Sequence, residues 1–455
     1  MNLTKIIKNQ QDFFNRGETR TYEFRISMLK KLKKALVSKE DEILRALESD
    51  LLKSNFESYL TEYSFVLAEI DFAIKNLKKW MKKKKVLPSL STFPAKSYYL
   101  YEPLGPTLII SPWNYPFNLS MGPVVGAIAA GNTVILKTSS KSTETTKVIS
   151  KIVGENFKDE FFIHLDNDRL DYDELIEKPY DHIFYTGGPD VAKKIMGKQA
   201  HNLTKLTLEL GGKSPCLVEK TANIKMAAKK IAWAKTVNAG QTCIAPDFLL
   251  VDIIVKDKLI KYLKTYLKEF YGDNPLYSKD LPRIINTHHF DRLLDLIDKD
   301  KVVYGGTFDK NTLKISPTIL DGVEFTDSVM GEEIFGPIIP IISYEDLDGV
   351  LKKIKTMPKP LAFYTFTEDK NIEEKITTRM EYGNGAINDC LMQIANPRLE
   401  FAGVGNSGMG GYHGYFGFMN FSNRKSMVKA SFFDNLLKYP PYRKKKFDFI
   451  KKFMK

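Results

Sequence analysis

The sequence predicts an α/β protein built on two doubly wound, Rossmann-like parallel sheets, and three observations carry that expectation. From residue 107 onward short β-branched runs alternate with helical patterns: Thr107–Ile110, Thr133–Leu136, Phe161–His164, Ile183–Thr186 and Leu206–Leu210. Most gaps between them are long enough for a crossover helix, which is the signature of parallel βαβ units. A second alternation of the same kind starts after Cys243. The chain also has 455 residues, 43% of them hydrophobic and 12% aromatic. That supplies material for two or three packed domains and excludes a disordered chain.

Taken in order, residues 22–47 read as one amphipathic helix. Phe24, Met28, Leu32, Leu36, Ile43 and Leu47 fall on one face, and Lys30, Lys31, Lys33 and Lys34 take the other. Tyr59, Tyr63, Val66, Ile70, Ala73, Leu77 and Trp80 mark a second helix, which a lysine run ends before Pro88. Residues 86–97 read as a loop or edge segment. The longest apolar stretch, Met121 to Leu136, is interrupted by Gly122, Pro123, Gly126, Gly131 and Asn132. It reads as helix, turn and strand and is too broken for a membrane span. Beyond Cys243, Phe248–Val255, Val302–Tyr304, Ile338–Ser343 and Leu361–Phe366 read as strands, and Lys258–Phe270 and His288–Asp298 as helices. Residues 415–433 return to a strand-like pattern through Phe416, Phe418, Asn420 and Phe421.

Three cysteines, Cys216, Cys243 and Cys390, are too few for a disulfide framework and point to a reducing, cytoplasmic setting. Met1 to Gly17 has no apolar core of signal-peptide length. The net charge is +13, and Arg443 to Lys455 alone carries seven Lys/Arg against one Asp. Solvated lysine faces account for most of it. No nucleic-acid-binding motif supports the sharper alternative. In the basic tail, 439–455, Phe447, Ile450 and Phe453 recur every three residues among lysines, the pattern of a helix that touches an anionic membrane surface; a disordered basic tail is the plainer alternative.

The chemistry centres on Gly240-Gln241-Thr242-Cys243. Upstream, Glu209 precedes the pair Gly211-Gly212, and Asn114 stands between Pro112 and Pro116. A thiol nucleophile, a carboxylate base for water and an amide donor for an oxyanion are the parts needed to attack a carbonyl carbon. Gly403-Val404-Gly405-Asn406-Ser407-Gly408 matches G-x-G-x-x-G, but no clear strand precedes it and further glycines follow, so it is not read as a dinucleotide fingerprint. Lys137 ends a strand at the carboxyl edge of the first sheet, where ligands of such sheets bind. Gly187-Gly188 lies between a strand and helix 189–200, where a phosphate can approach. The six histidines show no metal-ligand spacing.

Seven ordered segments together resemble the aldehyde dehydrogenase superfamily, most closely its class 3 branch: PWNYP (112–116), GNTVILK (131–137), FYTGG (184–188), LELGGKSP (208–215), GQTCIAPD (240–247), EEIFGP (332–337) and GVGNSGMGGYHG (403–414). The resemblance implies NAD(P)-dependent oxidation of an aldehyde through a Cys243 thioester, with Asn114 on the oxyanion and Glu209 activating water. It places Trp113, Lys137, Gly187, Gly188, Leu210 and Gly211 at the cofactor, and Glu333 and Phe335 at its nicotinamide end. It puts Tyr115, Trp233, Ile394 and Phe401 in an apolar substrate funnel suited to aromatic or medium-to-long aliphatic aldehydes. His413 is grouped with them, although a hydrogen-bonded loop histidine is its plainer reading. Many relatives carry an acidic residue at the place of Ser140; the neutral serine implies that NADP is accepted as well as NAD, unless it only caps the next helix. Further implications are a cofactor domain (1–85 and 101–208), a catalytic domain (209–388) and an active-site loop region (389–414). A small β oligomerisation module (86–100 and 415–438) implies a homodimer. The alternatives are transfer of the acyl group to coenzyme A, or a dinucleotide-binding or membrane-surface protein without turnover.

Overall fold

The computed structural model describes residues 2–89, 92–165, 170–430, 432 and 436–453. Five parallel strands form the first sheet, in the spatial order Lys205–Glu209, His182–Thr186, Pro106–Ile110, Thr133–Lys137, Phe162–His164. Gly408–Met409 adds antiparallel at the Lys205–Glu209 edge. The chain runs outward from Pro106–Ile110 to one edge, then crosses and runs outward to the other. The strand order therefore reverses between Pro106–Ile110 and His182–Thr186, the point where doubly wound sheets open a binding crevice.

Alternate residues of these strands face opposite layers. Leu108 and Ile110 pack with Leu3 and Ile7 of the helix Leu3–Asn15 and with Ile195 of Pro189–Gln199. Ile109 packs with Leu29, Val66 and Val124, from the helices Tyr22–Val37, Ser64–Trp80 and Asn118–Ala130. Burial on both faces is why the strands read as unbroken β-branched runs. Every residue of Asn118–Ala130 is buried, so this helix is apolar all round and shows no stripe.

The second sheet has seven strands in the order Val302–Tyr304, Thr318–Leu320, Ile338–Tyr344, Phe248–Asp252, Pro215–Val218, Ala362–Phe366, Asn384–Ile387. All pairings are parallel except the first. A separate three-stranded antiparallel sheet joins Lys84–Val86, Lys96–Pro103 and Ser422–Lys429. Among the described residues no helix is long and apolar enough to cross a membrane.

Three local expectations need correction and one is sharpened. Residues 22–47 are two helices, Tyr22–Val37 and Glu40–Leu51. Lys39 leaves helical geometry (φ −122°, ψ 16°), and Glu40, Asp41 and Glu42 fill the next first turn, where negative charge is favoured. The second helix is a composite of Asn55–Ser58, a π-helical turn Tyr59–Tyr63 and Ser64–Trp80. The segment 86–97, expected as loop or edge, begins and ends in strand, with Lys84–Val86 at the edge of its sheet and paired to Lys96–Pro103. The strand-like stretch from 415 begins as a helix, Gly414–Asn420, and becomes a strand only at Ser422–Lys429. Phe418 and Phe421, three apart, are both fully buried, so burial there follows a helical spacing and not a period of two. Residues 431 and 433 of that stretch, and the side chain of Phe453, lie outside the described residues.

Candidate active site

Cys243 sits between the helix Ile224–Thr236 and the strand Phe248–Asp252. Glu209 is the last residue of its strand in the first sheet. Both line one cavity of about 260 Å³, so the amino edge of the second sheet meets the carboxyl edge of the first there.

The segment before the thiol is held in an uncommon shape. Asn238, Ala239 and Gly240 have φ of 51°, 50° and 75°. Left-handed backbone costs about 1–3 kcal/mol at a non-glycine residue, so surrounding contacts must fix it. The Asn238 N–H donates to Glu57 Oε1 at 2.7 Å, and its amide donates to the Asn114 carbonyl at 2.7 Å. A side chain at Gly240 would meet the Gly336 carbonyl 2.3 Å from its Cβ, so only glycine fits. Asn114 is 3% exposed and donates from Nδ2 to the Gln241 carbonyl at 3.0 Å. Asn114 does not itself line the cavity, although its neighbour Tyr115 does, as do Thr242 and Cys243 after Gln241; one N–H of its amide is left over from the bond to Gln241. Tyr115 shares a 2.6 Å hydrogen bond with Thr242.

The segment carrying Asn114 is anchored by a buried ion pair. Lys53 Nζ lies 2.6 Å from Glu62 Oε1, with neither side chain exposed. The other Glu62 oxygen accepts from Phe117 N at 2.9 Å and Asn118 N at 3.2 Å, satisfying donors at the start of the helix Asn118–Ala130.

Electrostatics set the resting state. Burial, with Glu333 and Glu209 nearby, pushes the Cys243 thiol up to about 12, so it rests protonated. Glu209 is 3% exposed and has no hydrogen-bond partner for either oxygen. Among the described residues it has no lysine partner, and burial, then Glu400, raises it well above the ordinary carboxylate range. Burial and then Asp247 push Glu333 up to about 8, against the pull of the Gly212 N–H, Lys213 and Lys235. Glu333 packs on Gly211, where a Cβ would stand 2.1 Å from its Oε2. Lys213 bonds Asp247 Oδ2 at 2.6 Å and the Glu332 carbonyl at 2.7 Å, and Asp247 Oδ1 accepts from Ile334 N at 2.9 Å. The segment holding Glu333 and Phe335 is thus tied to the cysteine segment.

Trp113 lies 5.0 Å from the His289 ring and 5.5 Å from Phe335. Lys137 ends its strand half-buried, its Nζ on the Thr138 carbonyl at 2.8 Å. Ser140 is exposed and does not cap the following helix; Asp50 does, accepting from Glu144 N at 3.0 Å and Thr145 N at 2.8 Å. Lys141 turns to His289, 3.1 Å away. The Gly187 N–H donates to the Glu209 carbonyl at 3.0 Å, and the space above Gly188 is open. Tyr115, Trp233, Ile394 and Phe401 all line the cavity, with Leu210. His413 does not. It stacks on Tyr412 at 4.2 Å behind the wall, with Nδ1 3.7 Å from Glu69. Gly408 pairs with Glu209, which puts the glycine-rich 403–414 segment beside the site.

Sequence reasoning missed Glu57, Glu62, Asn238 and His289. Only Lys213 and Asp247 left a signal, since each sits inside a segment already singled out.

Comparison with known proteins agrees with this geometry. Residues 1–427 match the Aldehyde dehydrogenase family. The 4,4'-diaponeurosporen-aldehyde dehydrogenase of Staphylococcus aureus is 45% identical over 446 residues, covering 97% of each chain. The dimeric NADP-preferring aldehyde dehydrogenase of Mus musculus is 41% identical, covering 97% of this chain and 98% of its own. A solved structure of Staphylococcus aureus AldH in a substrate-bound state superposes with a TM-score of 0.97 at 44% identity, covering all of both chains. With a thiol and a carboxylate on one apolar cavity, and with these matches along its length, this chain belongs to the aldehyde dehydrogenase family and is an NAD(P)-dependent oxidoreductase.

Proposed function

We propose that this enzyme oxidises an apolar aldehyde to its carboxylic acid, with Cys243 as nucleophile and Glu209 as the base that releases the product. The observation that carries it is the pairing of Cys243 with an unpartnered, buried Glu209 on one apolar cavity. The Staphylococcus aureus relative is named for 4,4'-diaponeurosporen-aldehyde, so an aldehyde substrate is in keeping with its name.

The residues present fit a dinucleotide. The helix Pro189–Gln199 begins at Gly188 with no side-chain cap and open space above it, at the reversal of strand order. Free N–H groups at such a helix start suit a diphosphate. Lys137, with a main-chain acceptor at 2.8 Å, suits ribose hydroxyls, Trp113 would line the adenosine and pyrophosphate part, and Glu333 and Phe335 would hold the nicotinamide end. When bound, the oxidised nicotinamide supplies a hydride acceptor.

The protein's own groups then act in two halves. Cys243 gives up its thiol proton to solvent, its sulfur adds to the carbonyl carbon, and the spare Asn114 N–H with the Cys243 main-chain N–H meets the oxyanion. Loss of hydride from that carbon leaves a thioester on Cys243. Ionised Glu209 takes a proton from water, the hydroxide adds to the acyl carbon, and the C–S bond breaks.

Cofactor choice rests on Ser140. It is exposed and uncharged near Lys137, so nothing there repels the ~−2 charge of a 2′-phosphate. The mouse relative is named NADP-preferring. Wild type should use both cofactors, and Ser140→Glu should lower kcat/KM for NADP far more than for NAD. Rejection of NADP by wild type, or an unchanged ratio in the variant, would refute this reading.

The edge strand Ser422–Lys429 is exposed for seven of its eight residues, and we read its sheet as the subunit contact of a homodimer. Lys444–Phe453 forms a helix with exposed Phe447 and Phe449, and we read it as a contact to anionic membrane. Sedimentation with and without anionic liposomes, on the full chain and on a chain ending at 438, tests both. A dimer is expected in each form, with liposome binding in the full chain alone. A monomer, or equal partitioning, rejects the corresponding reading.

A further inference from the structure

The cavity at Cys243 is small for a long substrate. At ~30 Å³ per water-sized group, its volume of about 260 Å³ holds roughly nine such groups. A longer chain attached at Cys243 must leave through the mouth. Leu60 and Met392 mark that mouth, because both line the cavity and both are also exposed, at 45% and 51%.

Beyond Leu60 the same helical run carries two more exposed apolar side chains, Phe56 at 78% and Tyr59 at 45%. Spacings of three and four residues put Phe56, Tyr59 and Leu60 on one face. The π-helical turn then continues that face inward. Ser64 N bonds the Tyr59 carbonyl five residues back, so residues five apart share a direction in this turn. Phe65 thereby follows Leu60, and Phe65 is a cavity-lining residue. In an uninterrupted α-helix, five residues would turn Phe65 away from Leu60. Phe56, Leu60 and Phe65 thus form one apolar track from solvent to the inner cavity. Glu57, the nearest carboxylate on this run, is turned away and engaged by Asn238 N. Apart from Glu209 and the Cys243 thiol, the cavity lining holds no ionisable group but tyrosine, so nothing inside would receive a charged tail.

We propose that Phe56 and Tyr59 extend the aldehyde site beyond the cavity and bind the distal apolar tail of a long-chain aldehyde. This rests on the reading that Cys243 oxidises apolar aldehydes. The occupant is the substrate itself, because the track is continuous with the cavity and the cavity is too small to enclose the chain. The π turn is the device that joins the two.

The test compares hexanal, which lies within the cavity, with hexadecanal, which does not, in one nonionic detergent. Phe56→Ser should lower kcat/KM for hexadecanal by about tenfold, mostly through KM, and leave hexanal within about twofold, in line with the loss of a few methylene contacts. Tyr59→Ser should shift the two aldehydes in the same sense. Leu203→Ser, at a leucine that is 91% exposed and does not line the cavity, should change neither. Equal losses on both aldehydes, or no loss on hexadecanal, overturn the extended site while leaving the oxidation intact. A change of oligomeric state in Phe56→Ser also overturns it, since the patch would then be a subunit contact. If wild type oxidises neither aldehyde, the parent reading falls with it.

Discussion

Cys243→Ala abolishes aldehyde oxidation, with a loss of at least about 10⁴-fold in kcat, while the fold and cofactor binding persist. The size follows from the role. No other thiol lines the cavity, since Cys216 and Cys390 do not, and a thiol is the most nucleophilic of the groups present. The substitution removes only Sγ from a half-buried position, so it leaves a small gap and no unpaired charge. Cofactor reduction with an aldehyde panel, together with NAD(P) binding measured directly, checks it. Turnover near the wild-type rate would remove Cys243 from the role of nucleophile.

Glu209→Gln slows release of the acid by about 10²–10⁴-fold and leaves formation of the thioester much less affected. Rapid mixing then shows a burst of reduced cofactor followed by slow turnover. The pH dependence has a definite sign. Burial raises the Glu209 carboxyl well above its ordinary range, and only the ionised form is a base. In wild type the release step therefore accelerates as pH rises through the raised Glu209 value and levels off once Glu209 is ionised. In the glutamine variant that rise disappears. Stability responds in the opposite direction. A carboxyl whose folded value is raised stabilises the fold fully below its unfolded value, and that contribution is lost as pH rises through the folded value. Glu209→Gln should therefore lose less stability than wild type between mildly acidic and alkaline pH. An unchanged steady state without a burst would exclude Glu209 as the base.

Much of the framework was legible because it repeats locally. Runs such as Thr133–Lys137 are buried on both faces, and their β-branched character is visible in a window of five residues. The thiol and the carboxylate that share the cavity were legible because each sits in a short, unusual setting of glycines. The rest depends on partners far apart in sequence. The Glu57 bond to Asn238 joins residues 181 apart, and Glu62 reaches Phe117 across 55. No local pattern encodes either. Gly414–Asn420 was mistaken for strand because its aromatic residues alternate, yet it is the packing of Phe418 and Phe421 that selects the helix. The π turn at Tyr59–Tyr63 was also hidden, since five-residue spacing blends into the four-residue spacing on either side.

The most direct measurement of the central claim is to trap the acyl enzyme. Glu209→Gln, mixed with NAD and excess hexanal and quenched in acid after one turnover, should carry one hexanoyl group on the peptide containing Cys243, as read by mass spectrometry. The same treatment of Cys243→Ala should yield none. An acyl group on any other residue, or reduced cofactor formed with no acyl group on the protein, would contradict the account.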